Sequence, residues 1–380
     1  METLQQTDSD SCKSRKACQK AEFQGWKAGG GDVIRKIINH SYTSLISLAN
    51  LFQAWDEFKK GKRGKRDVQI LERHLEDNIF DLHRKLKNKT YKHSTYKDFY
   101  VNDPKRRHIH KSNALDRVLH HLLYKHLYEI FDKKFIYDSY SCRKGKGTHK
   151  AVKRLEKLTR IVSGNYTREC WGLKLDIKKF FNSIDHNFLK DLIHKSVKDK
   201  DINRLIDEVI DSFHSEVGED KGIPLGNLTS QIFANIYLNE LDQFIKHKLK
   251  IKYYLRYADD FVLLDVDRRH LNTYLDSIGD FVQNNLKLEL HPKKIIISKL
   301  TWGIDFCGYI VRPYYILPRT KTKRRIVKKV TNETISTQAL ASYVGYFSHS
   351  KSYKIQQALK NVYFFNNENF GYNCCYDKQR

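Results

Sequence analysis

No run of about 18 apolar residues occurs in this 380-residue sequence, so nothing in it reads as a helix able to span a bilayer. The opening METLQQTDSDSCKSRKACQK has no apolar stretch and predicts no secretory signal. No CxxC pair is present. The seven cysteines, Cys12, Cys18, Cys142, Cys170, Cys307, Cys374 and Cys375, are odd in number and scattered. That excludes a disulfide framework and a finger-type zinc site, and predicts a reduced, cytoplasmic protein. Seventeen histidines include His108, His110, His120 and His121, but none has partners at zinc-finger spacing. Internal repeats and low-complexity tracts are lacking too. Acidic residues are few beside basic ones, 44 Asp+Glu against 70 Lys+Arg, a formal net charge of +26. A chain this basic calls for a polyanionic partner, nucleic acid before an anionic membrane surface.

What is present suffices for a large core: 40% hydrophobic and 12% aromatic residues. A single core stops growing near ~250–300 residues, so two or three subdomains are expected. Residues 1–44 read as a basic N-terminal arm interrupted by Gly29, Gly30 and Gly31. A helix is predicted over residues 42–60. It runs into Lys59, Lys60, Lys62, Arg63, Lys65 and Arg66, a block without an acid. Val68, Leu71, Leu75, Ile79, Leu82 and Leu86 recur at helical spacing, as do Ile202, Leu205, Ile206, Val209, Ile210 and Phe213. Another helix is predicted over residues 230–248. Residues 95–150 interleave Lys and Arg with Tyr, Phe and His, either a solvated face or a phosphate-tracking surface. Leu173, Leu175 and Ile177 alternate with Lys174 and Asp176 as in a strand, and two β-rich runs flank Ala258, Asp259 and Asp260 as in a tight hairpin. Strands and helices without regular β-α-β alternation predict an α+β fold on an antiparallel sheet. Past residue 312 come Arg319, Lys321, Lys323, Arg324, Arg325, Lys328 and Lys329, then a helical C-terminal stretch rich in Tyr and Phe.

Two carboxylates at a hairpin tip repel each other, and a divalent cation relieves the penalty. Asp259 and Asp260 alone would pass for turn chemistry. Asp176, on a separate strand and opposed to an apolar alternation, supplies a third carboxylate. Three such groups from two strands suit two Mg²⁺ ions clamping a phosphoryl group, with Mn²⁺ as a substitute.

These residues resemble reverse transcriptases. Gly172–Phe181 is similar to the family's first palm motif, and Tyr257, Ala258, Asp259 and Asp260 to its YxDD box. Residues 222–231, GIPLGNLTSQ, resemble the dNTP-site loop, residues 288–294 the lysine motif, and Phe306, Cys307, Gly308 and Tyr309 the primer-grip turn. Lys105–Ile109, Asp116 with Arg117, and residues 140–147 resemble finger motifs. The order and spacing hold over about residues 45–350. The resemblance implies a right-hand polymerase, with fingers at 45–170, palm at 171–305 and a short helical thumb with a C-terminal basic region at 306–380. It implies metal binding by Asp176, Ile177, Asp259 and Asp260, and Lys294 as the acid for pyrophosphate. Arg107 and Arg143 would meet the triphosphate, or else be ordinary surface arginines. Phe181 would exclude a 2′-hydroxyl, while of Phe180 and Phe181 at least one belongs to the core. Asp185 reads as a helix N-cap.

Leu225 stands where many of these enzymes have Gln, and Gln231 where they have Pro. Leu225, Gly226, Ser230 and Gln231 thus resemble the dNTP site of diversity-generating retroelement reverse transcriptases. That implies error-prone cDNA synthesis opposite template adenines, a template repeat RNA, and a small basic helical-bundle accessory protein. A group II intron, retron or phage-defence enzyme is the alternative, though the VTG tripeptide of retrons is absent. A non-catalytic RNA-binding protein on the same fold is the other. A bacterial, archaeal or phage gene is expected.

Overall fold

The computed structural model describes residues 41–102, 106–332 and 335–376, with side chains to residue 364. The N-terminal arm up to residue 40, and Lys105, lie outside the described residues.

Helices dominate the first part. Residues 42–60 form two helices, α1 (Tyr42–Leu45) and α2 (Leu48–Lys59), where one was expected. Ser47 interrupts them because its Oγ accepts from Asn50 N (3.4 Å) and so caps a new helix. The Val68–Leu86 pattern is likewise split, into α3 (Arg66–Arg73) and α4 (Leu75–Lys87), with His74 leaving helical geometry between them. The apolar spacing survives the break: Val68, Leu71, Ile79, Leu82 and Leu86 are all buried, together with Leu51, Trp55 and Phe58. A two-stranded hairpin, β1 (Lys97–Val101) and β2 (Arg107–Lys111), projects ahead of α5 (Ala114–Phe131) and α6 (Thr148–Val162).

The central sheet is antiparallel, in the order β4-β5-β3-β6, from β3 (Trp171–Asp176), β4 (Tyr254–Tyr257), β5 (Asp260–Asp265) and β6 (Ile296–Lys299). The α+β expectation is borne out. Between β3 and β4 come α7 (Phe180–Ser183), α8 (His186–His194), α9 (Lys200–Asp211) and α10 (Leu228–Gln243). The last continues as a π-helical turn over Phe244–Lys248. Asp185 caps α8, accepting from Phe188 N (2.9 Å), as expected.

Strand alternation gives the sheet two buried faces. Leu173, Leu175, Tyr254, Phe261 and Leu263 join the main core with α10 and α11 (Arg268–Asn284). Leu255, Val262 and Leu264 pack on the other side with α6 and a second sheet, β7 (Ile304–Phe306), β8 (Tyr309–Arg312) and β9 (Tyr315–Pro318). The β7–β8 turn is Cys307-Gly308, both at positive φ (+49° and +88°). Three helices follow, α12 (Thr320–Asn332), α13 (Thr337–Ser348) and α14 (Tyr353–Tyr376), around Ile326, Val330, Leu340, Phe347 and Leu359. Among the described residues no helix is long and apolar enough to cross a membrane.

Gly172 lets the two sheets approach. A Cβ there would lie 2.6 Å from Ile304 Cδ1 and 3.4 Å from Leu264 Cδ2. Gly172→Val should destabilise the protein by about 1–3 kcal/mol through overpacking, with Gly172→Ala at the lower end. The urea midpoint measures this, and a native midpoint in the Val variant would show that the sheets are not in tight contact.

Candidate active site

Asp176 ends β3 and pairs in register with Asp260, the first residue of β5. Directly opposed residues of an antiparallel pair share a face, with Cβ atoms about 4.5–5.5 Å apart. The β4–β5 turn is short: Tyr257 pairs with Asp260, leaving Ala258 and Asp259 as the loop. Ala258 takes the left-handed conformation, φ +54°. Three carboxylates thus collect at one end of the sheet, on the face shared with α6 and the second sheet.

Burial and mutual repulsion set their chemistry. Asp259 is raised above its ordinary pKa by burial first and the Asp176 charge second, with Lys294 and Arg107 opposing. Burial pushes Asp260 up to about 6, against the pull of Lys174 and with Asp176 and Asp259 adding to the rise. Two lysines offset part of this. Lys294 Nζ lies 2.7 Å from Asp176 Oδ1, and Lys174 Nζ lies 3.1 Å from Asp260 Oδ2. Asp260 Oδ1 is buried and has no hydrogen-bond partner.

Lys294 sits in a 3₁₀ turn, Pro292–Lys294, just after residues 289–291 pair with residues 176–178 at the end of β3. His291 N donates to Asp176 O (2.8 Å), and buried Ile177 bridges to Leu290. Lys294, Asp176, Ile177, Asp259 and Asp260 are therefore brought together. Arg107, exposed at the start of β2, is near enough to act electrostatically on Asp259.

Phe180 is core, packed edge-on against Phe181 (5.4 Å) and Tyr237 (6.4 Å), whereas Phe181 is half-buried. The 222–231 loop is tied to β2: His110 N donates to Leu225 O (3.0 Å), and Asn227 Nδ2 to His110 O (3.1 Å). Gly226 has φ +117°, and a Cβ there would stand 2.9 Å from Ile109 Cγ2. Its lack of a side chain thus admits β2. Ser230 is buried with its Oγ unpartnered, and Gln231 is exposed in the first turn of α10.

Arg143 does not join the cluster. Nε donates to Asp132 Oδ1 (2.7 Å), Nη1 to the carbonyls of Ile136 (2.7 Å) and Ser139 (3.2 Å), and Nη2 to that of Asp132 (3.3 Å). Four of its five N–H groups are thus engaged within the chain, around Asp132, Ile136 and Ser139.

Sequence reasoning passed over two groups. Lys174 was visible as the polar partner of Asp176 on one strand face, two residues before it. Arg256, fully buried in β4, forms an ion pair with Asp242 of α10 (2.6 Å) and donates to Ala258 O (3.0 Å). An arginine in the inward phase of an apolar strand was the signal.

The donor set fits a divalent cation. Asp260 Oδ1 is desolvated and unpaired, and burial with the Asp176 charge disfavours an ionised Asp259, a penalty that a bound cation relieves. Among the described residues no three His, Cys, Asp or Glu side chains form a ready cage. Mg²⁺ suits that pattern, since it commonly takes one or two carboxylates and draws its other ligands from water and substrate phosphates.

Residues 92–311, more than half of the chain, match the family described as "Reverse transcriptase (RNA-dependent DNA polymerase)". The chain is 24% identical to the "Putative COX1/OXI3 intron 2 protein" of Saccharomyces cerevisiae, over 58% of this chain and 32% of that protein. It is 23% identical to "Protein YkfC" of Escherichia coli, over 51% of this chain and 60% of that one. It is 24% identical to "Group II intron-encoded protein LtrA" of Lactococcus lactis, over 62% and 50%. The chain therefore spans less than two thirds of the length of each of these relatives. Among solved structures, apo telomerase of Candida tropicalis superposes with a TM-score of 0.48 at 12% identity, over 72% of this chain and 57% of that chain.

Asp260 also makes stability depend on pH. Below the ordinary carboxylate value of 3.8 it is protonated in native and unfolded chains alike, and no penalty arises. As pH rises from there through about 6, the unfolded chain ionises it first, and the native state loses stability. Asp260→Asn removes the titration. Measured in chelator, its stability relative to the native chain should rise by about 2–3 kcal/mol between pH 4 and pH 7.5. A pH-independent difference would place Asp260 in water.

Proposed function

The chain belongs to the reverse transcriptase family, and from that premise we propose that it is an RNA-directed DNA polymerase working by two-metal-ion nucleotidyl transfer. Its fold is the α+β right-hand polymerase fold. One observation carries the activity: Asp176 and Asp260 face each other across β3 and β5, with Asp259 in the adjoining turn and Asp260 Oδ1 unpartnered. We assign fingers to 45–170, palm to 171–305 and thumb to 306–380.

Asp176, Asp259, Asp260 and the main chain at Ile177 would hold Mg²⁺. When bound, the metal would favour deprotonation of a primer 3′-hydroxyl and neutralise charge on the leaving pyrophosphate. The chain's own residues do the rest. Lys294, with its Nζ 2.7 Å from Asp176 Oδ1, is placed to donate a proton to pyrophosphate. Arg107 orients the triphosphate from β2 with a planar fork of donors. Phe181, braced by Phe180, blocks a ribose 2′-hydroxyl by size, which selects dNTPs. Template RNA and primer bind by dispersed Lys and Arg contacts, in keeping with the charge of +26.

The finer reading is a diversity-generating retroelement enzyme that copies a template repeat RNA with errors at adenine, assisted by a small basic helical-bundle protein. Leu225 and Gln231 support it. Leu225 offers no side-chain hydrogen bond to an incoming nucleotide, so discrimination leans on shape, worth only about 1–3 kcal/mol per small group. A group II intron-type enzyme is the second reading, supported by the intron-encoded relatives.

Asp176→Asn or Asp259→Asn should abolish primer extension while RNA binding by gel shift stays near native. Extension at a native rate by either variant would remove them from the chemistry. For the finer reading, Leu225→Gln, alone or with Gln231→Pro, should lower misincorporation opposite adenine more than opposite the other bases. Deep sequencing of cDNA from one RNA reads this out, and a native enzyme without an adenine bias would leave the polymerase but not the retroelement.

A further inference from the structure

Arg256 and Asp242 are each 0% exposed, and the candidate chemistry uses neither. A guanidinium has five N–H groups, and five acceptors meet those of Arg256. Nε donates to Asp242 Oδ1 (2.8 Å), and Nη2 to Asp242 Oδ2 (2.6 Å) and Ser139 Oγ (3.2 Å). Nη1 donates to Asn235 Oδ1 (3.3 Å) and to the carbonyl of Ala258 (3.0 Å). Asp242 also accepts from Tyr254 Oη (2.6 Å). The Arg256 main chain pairs with residues 138–140, its N donating to Asp138 O and its O accepting from Tyr140 N, both at 2.9 Å.

A buried ion pair is a poor device for stability, since well-packed apolar residues often serve as well. What no apolar pair supplies is a donor for the Ala258 carbonyl. Ala258 is left-handed without being glycine, a conformation that costs about 1 kcal/mol or more and persists where surroundings over-determine it. The restrained carbonyl belongs to the peptide joining Ala258 to Asp259. Fixing that plane fixes where the Asp259 backbone begins and so narrows the directions its carboxylate can take. By strand alternation Arg256 faces the main core, while Asp176 and Asp260 face the other side of the sheet.

We propose that Arg256, clamped by Asp242, is a positioning residue that aims Asp259 at the cation-binding end of the sheet from the sheet's opposite face. This deepens the polymerase reading and rests on it.

Two variants separate positioning from mere structure. Arg256→Lys keeps a charge for Asp242 but loses the fork that reaches Ala258 and Asn235 together. The triple variant Tyr254→Phe, Asp242→Leu, Arg256→Met removes both charges and the dependent hydroxyl at once. Each is compared with the native chain by urea midpoint, by Mn²⁺ binding in the presence of dNTP read by electron paramagnetic resonance, and by kcat and KM in Mg²⁺-dependent primer extension. The expected result is a urea midpoint close to native in the triple variant, and in both variants Mn²⁺ affinity and kcat lowered about 10–100-fold. KM for dNTP at saturating metal should stay within about twofold. A folded variant of either kind with native Mn²⁺ affinity and kcat overturns the proposal. Should the native chain bind Mn²⁺ through Asp259 yet extend no primer, the polymerase reading falls, and the Mn²⁺ comparison still decides the role of Arg256.

Discussion

The antiparallel register of β3 on β5 is the constraint on which the site depends. It sets Asp176 opposite Asp260 and brings the Ala258–Asp259 turn to the same end. A slip of one residue would turn every side chain of β3 to the other face. Leu173 and Leu175 would then leave the core beside α10, and Asp176 would enter it. Gly172 adds a second lock, because a side chain there would push against Ile304 across the two sheets. The register is held by apolar packing along the strand, from Leu173 to the Leu175–Phe261 pair beside the carboxylates whose meeting it brings about.

That meeting runs against local electrostatics. Burial raises both Asp259 and Asp260, and the carboxylates repel one another. Lys174 and Lys294 relieve part of the repulsion, each tied to one acid, yet an oxygen of Asp260 stays without a partner. Natural folds break local consistency of this kind mainly at functional sites. The surrounding excess of positive charge does not cancel the cost. Charges on exposed side chains are screened by solvent and salt.

The elements with strong periodicity were legible in the sequence. The buried set of Val68–Leu86, the Ile202–Ile210 face, the Leu173–Leu175 alternation and the Ala258–Asp259 hairpin lie where the pattern put them, while Phe213 falls just past α9 and Ile177 just past β3. Helix boundaries were less legible, because a cap such as Ser47 interrupts a helix through one hydrogen bond without disturbing the apolar period. For Arg143 the sequence leaves a triphosphate contact and an ordinary surface position both open, because it does not reveal that Asp132 and three carbonyls engage the side chain. Lys174 and Arg256 were missed for the converse reason. Each is a charged residue whose partner no local pattern marks: Asp260, on the neighbouring strand, for the first, and Asp242 of α10 with the Ala258 carbonyl for the second.

The sequence by itself determined the class of fold, the basic character, the acidic hairpin and the third carboxylate on its own strand. These follow from local pattern: period, turn chemistry and the count of charges. Only the tertiary structure decided which carboxylate oxygen stays unpaired, which lysine serves which acid, that Ile109 fills the space Gly226 leaves, and that a buried arginine grips the turn between Ala258 and Asp259. Those outcomes depend on distances in space, between near neighbours such as Arg256 and Ala258 as much as between Lys294 and Asp176, and a linear pattern carries no distance.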